Sequence, residues 1–105
     1  MKTTVRQELI EYIEDRIGEI KKYDGRELED LHFHLFNEDY YIIGYYQAQE
    51  WLDEHGISTF EALEIIREYE NFHFGECKGY TNAEETVNML VYIWGEELLC
   101  EMELI

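Results

Sequence analysis

The sequence predicts an all-α protein, a compact bundle of four or five helices forming a single domain over residues 1–105. Three observations point there. Apolar residues recur at three- and four-residue spacing, capping patterns led by Ser, Thr or Asn punctuate those runs, and no proline or Ser/Gly-rich linker marks an internal boundary. At 46% hydrophobic and 15% aromatic residues, the chain lies well above the composition that keeps a polypeptide disordered. Its 105 residues suffice for one core but not for two.

Each element follows from its own signals. Thr4 with Gln7 reads as a capping box opening a helix over 4–23, with Leu9, Ile10, Ile13, Ile17 and Ile20 on one face and Asp24-Gly25 ending it. A shorter helix fits 26–36, with Leu28, Leu31 and Leu35 on one stripe and Asn37 as its stop. A third covers 38–55 and closes at His55-Gly56. Ser58-Thr59-Phe60-Glu61 is a second capping box, with Ile57 and Ala62 spaced as a hydrophobic staple, and opens a helix over 59–73. After the glycine-containing loop FGECKGYT, Thr81 or Asn82 caps a fifth helix with Glu84 or Glu85 as reciprocal partner. Val87, Leu90, Val91, Trp94 and Leu98 form its apolar face.

The stretch DYYIIGYYQAQEWL, residues 39–52, is the ambiguous one. YYIIGYY is apolar on both alternate rows and rich in β-branched and aromatic residues, as a buried strand is. The pattern runs on through QAQEWLDEH, however, and no second strong strand is present to pair with it, which favours helix. Wound at 100° per residue, Tyr40, Tyr41, Gly44, Tyr45, Ala48, Trp51 and Leu52 share one arc, and Gly44 and Ala48 would admit a close helix crossing. This reading makes residues 38–55 the central helix of the core.

Charge narrows the function classes. Residues 1–26 hold six acids and six bases, whereas 27–105 hold nineteen acids against only Arg67 and Lys78 and carry the entire net charge of −17. Nucleic acid and anionic lipid are bound by Lys and Arg displacing phosphate counterions, so direct contact with either is disfavoured. The aromatic stretch 39–52 has Asp39 and Glu50 as its only charges, so it lacks the cations a base-stacking platform needs. No apolar run reaches membrane-spanning length, and the N-terminus lacks a signal-peptide core, so a soluble cytoplasmic protein is expected. Cys77 and Cys100 read as reduced thiols in that compartment.

Catalytic and metal chemistry find little support. Two Glu-x-x-His pairs, Glu29/His32 and Glu70/His73, have the spacing used in carboxylate-bridged metal bundles. Such sites also need inward glutamates from two further helices, which the apolar arcs of the first and third helices lack, and glutamate is frequent enough for such pairs to arise by chance. No nucleophile elbow, P-loop or dinucleotide fingerprint occurs, and the single serine, Ser58, is explained as a cap. Cys77 beside Lys78 lacks a clear histidine partner. The expectation is a non-enzyme with no cofactor, no catalytic residue and no metal site.

The acidic surface is the remaining candidate. Glu61, Glu64 and Glu68 share one stripe of the fourth helix, and Glu50, Asp53 and Glu54 face away from the apolar arc of the third. Glu96, Glu97, Glu101 and Glu103 extend the charge toward the C-terminus. Like charge at this density costs stability by self-repulsion, so a purpose beyond solubility is indicated.

The run YYIIGYYQAQEWLDEHGISTFEALEIIREYE, with NFHFGE and NMLVYIWGEELL after it, resembles a family of small uncharacterised bacteriophage proteins over about residues 28–99. That resemblance implies a phage origin and a place in the bacterial host cytoplasm, and it transfers no catalytic residue. Size and charge also look like those of phage DNA mimics that block restriction, CRISPR or uracil-repair enzymes, an analogy of physical character rather than of motif. The expectation is a binder of a host protein with a basic surface, with Glu50, Asp53, Glu54, Glu61, Glu64 and Glu68 as contacts. The alternatives are a helical accessory protein acting in homo-oligomerisation or assembly and, behind it, a small metal-dependent enzyme.

Overall fold

Among the described residues the chain forms five helices, α1 (Thr3–Ile20), α2 (Leu31–Phe33), α3 (Tyr45–Glu54), α4 (Thr59–Phe74) and α5 (Ala83–Glu101). The computed structural model describes residues 1–20, 31–33, 35–36, 45–77 and 82–105, and no strand occurs among them. The helices form a single globule with a radius of gyration of 14.0 Å and extents of 39 × 31 × 23 Å.

Among the described residues, the most enclosed helix is α5. Val87, Leu90, Val91, Trp94 and Leu98 are buried as their periodicity predicts, but so are Ala83, Thr86, Ile93, Gly95 and Leu99. A helix apolar on most of its circumference has to be surrounded. Accordingly, α1, α2, α3 and α4 all pack against it. The stretch 38–55, expected as the central helix, is described from residue 45 onward. Of that stretch, α3 buries Ala48, Trp51 and Leu52, while Tyr40, Tyr41 and Gly44 lie outside the described residues.

Local chemistry sets the helix ends. Ser58 Oγ accepts the Glu61 backbone N–H at 3.1 Å, and Asn82 Oδ1 accepts that of Glu85 at 2.8 Å, each satisfying a donor the first helical turn cannot pair. Gly56, at φ 65°, closes α3 with a Schellman motif in which its N–H bonds the Asp53 carbonyl at 3.1 Å and that of Ile57 bonds Leu52 at 2.9 Å. The chain after α5 repeats this geometry with Glu103 as the left-handed residue at φ 59°. There, Glu103 N–H bonds Cys100 at 3.1 Å and Leu104 N–H bonds Leu99 at 2.9 Å.

The expected Thr4 capping box is corrected. Helix α1 begins one residue earlier, and Thr4 Oγ1 lies 3.0 Å from His55 Nδ1 of the α3 terminus while Gln7 reaches Glu11. A tertiary partner has taken the hydroxyl that the local motif would use. Around it, the Glu8 carboxylate accepts from Trp51 Nε1 at 3.1 Å and from His55 Nε2 at 2.8 Å, clasping α1 to α3. On the other side, Val5, Leu9 and Ile13 are buried, and the Tyr12 hydroxyl donates to the Leu35 carbonyl at 2.6 Å. Of the short second helix expected over 26–36, Leu31–Phe33 is helical, with Leu31 and Leu35 buried; residues 21–30, 34 and 37–44 lie outside the described part.

Candidate functional site

The carboxylates singled out on α3 and α4 stand on the outside of the bundle. Glu50, Asp53, Glu54, Glu61 and Glu68 are exposed, and Glu64 is partly exposed. Their placement follows from the burial of the opposite faces, Ala48, Trp51 and Leu52 on α3 and Ala62 and Ile66 on α4. Along α4, Glu61 to Glu68 covers two turns, about 10 Å of axis, with the Cβ atoms of neighbouring glutamates about 5–6 Å apart.

Among the described residues, little opposes this charge locally. Glu64 pairs with Arg67 Nη1 at 3.0 Å, and Asp53 accepts from Gln49 Nε2 at 3.2 Å. Both α4 partners are solvent-exposed, so the pair contributes a few tenths of a kcal/mol at most. Three phenylalanines interrupt the acidic face: Phe60 is 76% exposed, Phe72 85% and Phe74 62%. The sequence reading treated Phe60 only as part of a cap and did not single out these rings.

Tertiary packing creates a further feature, a groove of about 450 Å³ between α4 and α5 lined by Tyr69, His73, Ile93, Glu96, Glu97, Cys100 and Glu101. Tyr69 and His73 come from adjacent turns of α4, their ring centroids 4.1 Å apart. The Tyr69 hydroxyl donates to Glu96 Oε2 at 2.9 Å. Burial holds the Tyr69 phenol protonated well above the usual tyrosine range, and its hydrogen bond to the Glu96 carboxylate adds to the effect. Tyr92 is pushed the same way, by burial first and Glu96 second. Acidity at 96–101 was legible in the sequence, but its meeting with Tyr69 and His73 depends on how α4 lies on α5.

Of the two Glu-x-x-His pairs, the described members do not assemble a ligand set. His32 Nε2 donates to the Tyr92 carbonyl at 2.7 Å, its ring lies 3.9 Å from that of Tyr92, and its Nδ1 is 3.7 Å from Glu96. Glu70 is buried and His73 is exposed, while Glu29 lies outside the described residues. Among the described residues, no group of three or more His, Cys, Asp or Glu is placed to hold a metal ion. Cys77 and Cys100 are both free and exposed. No described helix is long and apolar enough to cross a membrane.

No protein-family model, curated protein or solved structure matches this chain. Its functional reading therefore rests on its own chemistry.

Proposed function

We propose that this chain is a non-enzymatic binding protein that presents carboxylates to the basic nucleic-acid groove of a host protein and occupies it in place of the nucleic acid. The observation that carries the reading is charge density on a nucleic-acid scale. A duplex as long as the 39 Å axis of the protein carries about 23 phosphates at one per ~1.7 Å, against a net charge of −17 here. Glu50, Asp53, Glu54, Glu61, Glu64 and Glu68 are the contacts, with glutamate Cβ spacing along α4 comparable to that of neighbouring phosphates. Steering by so strong a field raises the association rate, and occupancy of the groove excludes the competing polyanion.

The test begins with a tagged pull-down from bacterial lysate and identification of the partner by mass spectrometry. Affinity for the purified partner is then measured across a salt series. It is expected to fall steeply with salt and to weaken in the triple variant E61Q/E64Q/E68Q. Equal affinity at low and high salt refutes the reading.

One observation favours a second reading. Phe60, Phe72 and Phe74 are large apolar side chains left in solvent on the same helix as the carboxylates, and exposed aromatic residues are typical anchors of protein interfaces. In that reading the face serves self-association or assembly, with the charge acting for solubility. Sedimentation would then give an oligomer that F60S/F72S reduces to a monomer and that the glutamine triple variant leaves intact.

A further inference from the structure

We propose that the groove between α4 and α5 is a receptacle for a guanidinium group, an arginine side chain of the partner. The inference rests on the preceding reading, since grooves that bind nucleic acid are lined with arginine, and it adds a specific pocket to a diffuse acidic surface.

The composition of the groove fits that ligand. One wall is aromatic, formed by Tyr69 and His73, and Ile93, 5% exposed, lies beneath. Guanidinium planes stack on such rings, and an arginine stem packs on apolar surface. The opposite wall is anionic, with Glu96, Glu97 and Glu101. Glu96 is held in place by the Tyr69 hydroxyl on Oε2, and among the described residues its Oε1 accepts nothing. A positioned carboxylate with a spare oxygen is what a forked donor needs. Among the described residues, the basic groups facing these carboxylates are Arg6, 2.6 Å from Glu101 Oε2, and the imidazoles of His32 and His73. Among the described residues, three carboxylates thus face one permanently charged guanidinium around a cavity of about 450 Å³. A metal ion is the poorer occupant, because no three ligating groups converge among the described residues.

The experiment is a titration of isotope-labelled protein with Nα-acetyl-arginine amide, followed by NMR, with the lysine and the neutral citrulline counterparts as controls. Saturable shifts centred on Tyr69, Ile93 and Cys100 are expected with the arginine probe, weaker ones with lysine and none with citrulline. Glu96→Gln should lower the affinity roughly tenfold, the loss expected for a charge-assisted hydrogen bond. Glu97→Gln, at an exposed position, supplies a second variant whose folding is not at stake and should weaken binding several-fold. Shifts spread evenly over the α3 and α4 carboxylates, equal binding of citrulline or lysine, or indifference to both substitutions would overturn the proposal. If the arginine probe ignores the groove while E61Q/E64Q/E68Q still weakens partner binding, the groove inference falls and the mimic reading stands. If the probe binds in the groove but partner affinity is independent of salt, the mimic reading falls and the guanidinium site stands.

Discussion

Gly95 is the position where one methyl group has the most predictable cost. A Cβ there would meet the Phe36 ring far inside van der Waals contact, at Cδ2, Cε2 and, at 2.7 Å, Cγ. Phe36 cannot swing aside: it is 2% exposed and packs edge-on against Tyr12 at 5.5 Å, with His32 at 6.3 Å. Overpacking of this severity costs about 3 kcal/mol, offset by about 1 kcal/mol from replacing a mid-helix glycine with alanine. Gly95→Ala should therefore destabilise by about 2 kcal/mol, lowering Tm by roughly 10 °C at 4–8 °C per kcal/mol. Gly18, also helical but with nothing within 4 Å of a built Cβ, is the internal control. There the propensity gain is unopposed, and Gly18→Ala should raise stability by about 1 kcal/mol. Urea and thermal unfolding of both variants read the difference, and Phe36→Leu combined with Gly95→Ala should show a coupling of about 1 kcal/mol or more. If Gly95→Ala is as stable as the parent, or if the double variant is simply additive, the close crossing of Phe36 over α5 is wrong.

Two further predictions follow from the helix end and the groove. Glu103 is an exposed non-glycine residue at φ 59°, a conformation that costs an L-residue about 1 kcal/mol, so Glu103→Gly should raise the urea midpoint by an equivalent of about 0.5–1 kcal/mol; a lower midpoint would show that the left-handed turn is not formed. For Tyr69, the native phenol ionises above its ordinary pKa of about 10, so above pH 10 the unfolded chain loses a proton that the folded one retains. Stability is thus expected to decline as pH rises past 10, and less steeply in Tyr69→Phe, as read from urea midpoints at stepped alkaline pH; identical slopes would remove the Tyr69–Glu96 bond.

The sequence by itself determined the helical class, the cap at Ser58, the glycine stop at Gly56 and the outward-facing carboxylates of α3 and α4, and it narrowed the cap of α5 to Thr81 or Asn82, of which the structure uses Asn82. These are consequences of interactions within a few residues, a side-chain oxygen reaching an N–H three positions on or an apolar stripe recurring each turn, and local physics is written in local sequence. Packing decided the rest. Thr4 is the clearest case, since its hydroxyl has a local role as a cap and a distant one at His55, and only the arrival of α3 against α1 selects the second. That α5 is enclosed on most of its circumference is tertiary as well, since it depends on how many neighbours a helix meets, and four other helices pack against it. The α4–α5 groove is likewise tertiary. Tyr69 and Glu96 are 27 residues apart in the chain, and no spacing rule relates them; their hydrogen bond exists because two amphipathic helices chose one mutual rotation to bury Ile66 and Leu98.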